Sequence, residues 1–127
     1  HEKIYWNCID DHNGPQTREN LLRKWNRELS KIIFIQGWTN EIVPKLGIQR
    51  INFAFLDAQH TKKDVLNEFE YVSSKQIKGD IIVFDDVTRR KFPGVFEAVK
   101  LIDRKKRYKI EYLNFDESRG YAIAIKL

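Results

Sequence analysis

Short apolar runs alternate along this chain with segments whose apolar residues recur every three or four positions, the pattern of strands interleaved with amphipathic helices. Ile4 to Ile9 predicts a strand, and Asn13, Gly14 and Pro15 then turn the chain into a helix with Leu21, Leu22, Trp25 and Leu29 on one face. Lys31 to Ile35 predicts the next strand, ended by Gly37. Glu41 to Leu46 predicts a short helix interrupted or begun by Pro44, and Gly47 resets the chain for a strand over Ile51 to Leu56. Thr61 with Asp64 forms a variant capping box, after which Val65, Leu66, Phe69 and Val72 repeat at helical spacing. Lys78 and Gly79 precede Asp80 to Phe84, the most strand-like run of all. Beyond Pro93 a helix turns Val95, Val99 and Ile102 inward. Tyr108 to Phe115 and Tyr121 to Ile125, separated by an Asp116 to Gly120 turn, close the chain as an antiparallel hairpin.

Strands that are apolar on both faces and alternate with helices imply an α/β fold whose mostly parallel sheet is covered on both sides. Ligands of such sheets bind beyond the carboxyl ends of the strands. The residues just past those ends are Asp10 and Asp11, then Gln36 to Thr39, then Asp57 with His60, then Asp85 and Asp86. Any single aspartate there fits a turn or a helix cap. In combination, Asp57, Asp85 and Asp86 come from two parallel strands that could be neighbours, and they offer hard oxygen ligands at one rim. Such a cluster repels itself unless a cation is present, and oxygen donors favour Mg2+, Mn2+ or Ca2+ over zinc. His60, at the turn entering a helix, fits a proton acceptor working at physiological pH, or else a surface or capping histidine. Asp10 stands where nucleotide-binding sheets place a carboxylate on ribose hydroxyls, and it equally fits a turn ahead of Asn13 and Gly14. His1 and His12 have no comparable neighbours.

The length of 127 residues suits one domain spanning residues 1–127. With 42% hydrophobic and 32% charged residues the composition excludes a low-complexity chain, and the apolar runs fall far short of the roughly 20 residues that cross a bilayer. Cys8 is the single cysteine, so no internal disulfide forms, and no signal peptide opens the sequence; a cytoplasmic protein is expected. The net charge of +5 has a local origin, since Arg89 to Lys109 holds nine Lys or Arg against Glu97 and Asp103. Arg104 to Arg107 crowd the end of a predicted helix, where cations suit the macrodipole, and this solvated helix end is favoured over a nucleic-acid surface. The absence of methionine and the start at His1 predict that residues precede the sequence.

The stretch Ile51 to Val87, with Asp57 to His60 in a D-x-x-H pattern, a Lys78-Gly79-Asp80 turn and the acidic pair Asp85 and Asp86, resembles the second half of a class I S-adenosylmethionine-dependent methyltransferase. It is similar to the metal-dependent O-methyltransferases that include macrocin and other macrolide-sugar enzymes. Gln36, Gly37, Trp38 and Thr39 resemble the G-W-x motif after that family's third strand, and Gly94 to Val99 the G-V-x-x-A-V helix after its acidic pair. The resemblance runs from Ile4 onward and implies a Rossmann-like sheet with a C-terminal antiparallel hairpin. It also implies a departure: the family's first strand and glycine-rich loop would precede Ile4, so the sheet is expected to be incomplete at its N-terminal side.

The function the resemblance implies is S-adenosylmethionine-dependent O-methylation of a hydroxyl on a small molecule or sugar. Asp57, Asp85 and Asp86 would hold Mg2+ or another divalent cation, and His60 would take the hydroxyl proton. Asp10, or else Asp11, would hold the cofactor ribose, Gly37, Trp38 and Thr39 would border its adenine, and Asp57 would also lie at the cofactor. A homo-oligomer is compatible with this reading, and a membrane partner is not expected. The competing class is a non-enzymatic α/β module, either a degenerate methyltransferase fold or a receiver-like signalling domain. A receiver-like fold would need Asp57 as phospho-acceptor and has no closing hairpin.

Overall fold

The computed structural model describes residues 4–7, 23, 27, 31–35, 37–57 and 59–127. The helix expected to carry Leu21, Leu22, Trp25 and Leu29 lies outside these residues, apart from Arg23 and Arg27, which are helical and exposed. Two compact units make up the chain, residues 1–43 and residues 44–127.

In the first unit β1 (Ile4–Asn7) and β2 (Ile32–Ile35) pair in parallel, with Ile4 opposite Ile32 and Asn7 opposite Ile35. A single helical turn, α1 (Thr39–Ile42), follows β2 and tightens into a 3-10 turn over Val43–Lys45. The expected helix thus begins earlier than Glu41 and changes pitch at Pro44. Proline has no N–H with which to continue the α-helical bonding pattern.

The second unit is a four-stranded sheet with two helices. Its strands are β3 (Phe53–Leu56), β4 (Ile81–Phe84), β5 (Tyr108–Leu113) and β6 (Tyr121–Lys126), arranged in the order β3-β4-β6-β5. β3 and β4 run parallel, with Leu56 opposite Phe84. β6 is antiparallel to both β4 and β5, and the expected closing hairpin forms. The helix α2 (Lys62–Ser74) starts at Thr61, whose backbone is extended and whose hydroxyl accepts the Asp64 N–H at 3.2 Å. The helix α3 (Pro93–Arg104) starts with its proline at a position that needs no amide donor.

The strand register explains where the core lies. Ala54, Leu56, Ile82, Phe84, Ala122 and Ala124 share one face of the sheet, because side chains alternate along each strand and these positions lie opposite one another. α2 and α3 pack on that face through Val65, Phe69, Val72, Val95, Ala98, Val99 and Ile102. The opposite face was expected to be covered as well, yet Phe53 and Phe55 of β3 are 60% and 51% exposed. Both helices of this unit lie on the other side.

At the amino end of β4 the chain is locked by a polar network. Asp80, predicted as a strand residue, stands just before β4. Its carboxylate accepts the Ile77 N–H and both terminal nitrogens of Arg50, Nη2 at 2.7 Å. Lys126 Nζ donates to the carbonyls of Ser73 and Gln76 at the end of α2, at 2.7 and 2.8 Å, where a cation also suits the helix dipole. The Tyr108 hydroxyl donates to Gln76 Oε1 at 2.8 Å, and burial pushes its pKa up to about 12. In the basic stretch, Lys105 and Arg107 flank Glu70 at 2.8 and 3.5 Å, and Lys106 lies 3.6 Å from Asp103. Among the described residues no helix is long and apolar enough to cross a membrane.

Candidate active site

Parallel pairing of β3 with β4 brings two strand ends together. The Asp85 N–H donates to the Leu56 carbonyl at 3.0 Å, carrying the ladder one residue past β4, so Asp57 and Asp85 leave the sheet as neighbours. The backbone then turns sharply at Asp86, which has φ 53°. Its N–H donates to Asp85 Oδ1 at 2.8 Å, and its carbonyl accepts the Thr88 N–H at 2.8 Å.

His60 reaches the same place from the turn between β3 and α2. Its Nε2 lies 3.0 Å from Asp86 Oδ2 and 3.8 Å from Asp57 Oδ1. One donor atom from each of Asp57, His60 and Asp86 falls within 4.8 Å of the others. Asp57 titrates above the ordinary carboxylate range, first because it is partly buried and then because Asp85 and Asp86 repel its charge, with His60 offsetting part of the effect. The His60 Nε2 atom is shielded from solvent, and it makes no hydrogen bond among the described residues. Its approach to Asp86 is close but lies off the hydrogen-bonding direction. Mutually repelling carboxylates at one rim are hard oxygen donors that fit a divalent cation, and the imidazole nitrogen beside them makes no hydrogen bond among the described residues.

The loop from Asp85 to Phe92 is held at several points. Val87 N–H donates to the Gly120 carbonyl at 2.8 Å and Arg89 N–H to the Phe115 carbonyl at 3.2 Å, which pins the loop to the β5–β6 turn. Fully buried Thr88 accepts the Phe92 N–H on its hydroxyl at 3.0 Å. The Phe92 ring stacks on His60 with centroids 4.2 Å apart and planes inclined by 24°. At Gly94 a Cβ would fall 2.9 Å from the His60 carbonyl oxygen and 3.0 Å from the Lys62 nitrogen, so glycine is what lets α3 begin against the His60 turn.

Of the residues singled out by sequence, Asp57, His60 and Asp86 bring donor atoms together, and Asp85 stands beside Asp57 at the strand ends. Gly37 and Trp38 form the β2–α1 turn of the first unit, and Thr39 opens α1. Gly37 has φ 147° and a Cβ there would overlap Ile42, while Trp38 is exposed and its carbonyl accepts the N–H groups of Glu41 and Ile42, each at 3.0 Å. Asp10, Asp11 and Gln36 lie outside the described residues. Phe92 and Thr88 were missed. A threonine four residues ahead of a helix-entry aromatic is the one local signal they carry, and the stack itself is a long-range contact.

No curated protein matches this sequence. A family described as "Methyltransferase domain" matches residues 2–87, a span that includes every site residue singled out by sequence. Solved structures similar in fold include the following three. A protein from Klebsiella pneumoniae classed as an O-methyltransferase superposes with a TM-score of 0.78 at 17% identity. The O-methyltransferase from Bacillus cereus in complex with SAH gives 0.76 at 15%. The O-methyltransferase TomG from Streptomyces achromogenes, involved in tomaymycin synthesis and solved with SAM, gives 0.75 at 15%. Each match covers 98% of this chain. The chain spans 61%, 63% and 61% of theirs, respectively.

Proposed function

The chain belongs to the methyltransferase-domain family matched over residues 2–87, and from that premise we propose that it serves S-adenosylmethionine-dependent transfer of a methyl group to a hydroxyl of a small molecule or sugar. The observation that carries the reading is the convergence of Asp57, His60 and Asp86 at the carboxyl ends of two adjacent parallel strands, where open α/β sheets bind ligands. The donor's identity is supported by the SAM and SAH complexes of the similar structures.

When bound, S-adenosylmethionine supplies a methyl on its sulfonium, and a divalent cation such as Mg2+ supplies a Lewis acid that lowers the acceptor hydroxyl's pKa. Asp57, Asp85 and Asp86 are the residues to hold that cation. His60 accepts the hydroxyl proton at Nε2. Gly37, Trp38 and Thr39 border the adenine, Asp10 or else Asp11 holds the ribose, and Asp57 stands at both cation and cofactor. The largest share of the rate in such a transfer comes from fixing the two reactants at attacking distance, so a rigid rim matters more than any single group.

Calorimetric titration of the protein with S-adenosylhomocysteine, with and without Mg2+, tests the donor and the cation. Micromolar binding is expected. Methyl transfer from S-adenosylmethionine to catechol, used as a probe acceptor, is expected to vanish in Asp85→Ala and His60→Ala while their thermal unfolding stays cooperative. Wild-type turnover in both variants would sink the cation-and-base scheme, and failure to bind the nucleoside would leave a non-catalytic module of the same fold.

A further inference from the structure

We infer that Phe92 is a positioning residue for His60: its ring fixes the plane of the imidazole so that Nε2 faces Asp57 and Asp86. The inference rests on reading His60 as the proton acceptor.

A histidine side chain at a turn has a broad, roughly two-fold torsion about its ring bond, so something must select one orientation. Hydrogen bonding does not select it through Nε2, which makes no hydrogen bond among the described residues. The contact of Nε2 with Asp86 Oδ2 at 3.0 Å lies off the hydrogen-bonding direction, so it selects which edge points inward without holding the ring's tilt. The Phe92 ring supplies that constraint, lying 4.2 Å away at 24° to the imidazole plane.

Phe92 can do this because it is itself fixed on three sides. Its N–H donates to the hydroxyl of Thr88, which is fully buried. Its carbonyl accepts the N–H groups of Val95 and Phe96 at 3.1 and 3.2 Å, making it the residue from which α3 starts. Its ring packs against the core. The missing side chain of Gly94 then allows the first turn of α3 to rest on the His60 carbonyl, so ring and backbone of His60 are gripped by the same element. Phe92 acts on the rim through the ring of His60.

The test uses the protein labelled with 13C and 15N in histidine, as wild type, Phe92→Leu and Phe92→Tyr. The wild-type His60 ring is expected to be as ordered as rigid backbone, with an order parameter near ~0.85, and its ring protons to be displaced by the Phe92 ring current. Phe92→Leu should abolish the displacement, lower the order parameter below ~0.6, and reduce kcat for methyl transfer to catechol by roughly 10–100-fold with KM for S-adenosylmethionine unchanged. Phe92→Tyr, which keeps the aromatic face, should restore both readouts, and it stands as the folded comparison should the leucine variant be unstable. An unchanged His60 ring in Phe92→Leu overturns the inference, as does a freed ring with wild-type kcat. Failure of the underlying reading is seen separately, as wild-type turnover in His60→Gln with Phe92 intact.

Discussion

Asp86 carries its carboxylate on a backbone that L residues rarely adopt, at φ 53°. Aspartate tolerates this conformation better than most residues because its short side chain bonds locally, but glycine tolerates it at no steric cost. Both Asp86→Ala and Asp86→Gly remove the charge that repels Asp57, and they differ in backbone freedom. The alanine variant should be less stable than the glycine variant by about 1 kcal/mol, read from urea unfolding midpoints. Equal midpoints would show that the turn carries no strain. At this scale the acidic residues were legible in the sequence, because a carboxylate following an apolar run marks a strand end. The inclusion of His60 among possible donors, and the orientation of each oxygen, were not legible, since they depend on the turn at Asp86 and on the ring of Phe92.

At the scale of elements, the critical contact is that between the first turn of α3 and the turn preceding α2. Two backbone atoms stand 2.9 and 3.0 Å from where a Cβ at residue 94 would lie, and backbone yields less easily than a flexible side chain. Gly94→Ala should therefore cost roughly 1–3 kcal/mol in denaturant unfolding, and it should also shift the His60 ring resonances, since the carbonyl that must move is that of His60. The described strands and helices fall within a few residues of where the apolar pattern put them. The differences have local causes: Pro44 converts a helix to a 3-10 turn, and Asp80 leaves the strand to accept hydrogen bonds from Arg50 and Ile77. Parallel and antiparallel pairing also followed from the sequence, through the helices between strands and the short turn before Tyr121. What periodicity does not contain is which face stays uncovered. Phe53 and Phe55 read as buried because β3 is apolar throughout, whereas both helices of that unit lie on the face of Ala54 and Leu56.

Across the whole molecule, the charged network at the amino end of β4 ties stability to pH. The Asp80 carboxyl lies below the ordinary carboxylate range, chiefly through its hydrogen bond from Arg50 and also through the Ile77 N–H. A carboxyl depressed on folding contributes stability that is fully present above its unfolded value, near ~3.9, and is lost as pH falls through its folded value. Asp80→Asn should accordingly be destabilised relative to wild type at pH 7, and the gap should narrow as the pH is lowered below about 4, measured by urea unfolding across that range. A gap independent of pH would assign the contribution to packing.

The strand β4 has one further consequence, because it separates this network from the acidic rim. Asp80 and Asp85 flank the four residues Ile81–Phe84, which at ~3.3 Å per residue puts roughly 16 Å of extended chain between them. Substitutions that far apart combine without coupling, so the changes in unfolding free energy caused by Asp80→Asn and Asp86→Gly should sum in the double variant to within about 0.5 kcal/mol. The two ends of one strand can then be altered independently, one to set how firmly the unit holds and the other to set what its rim can bind.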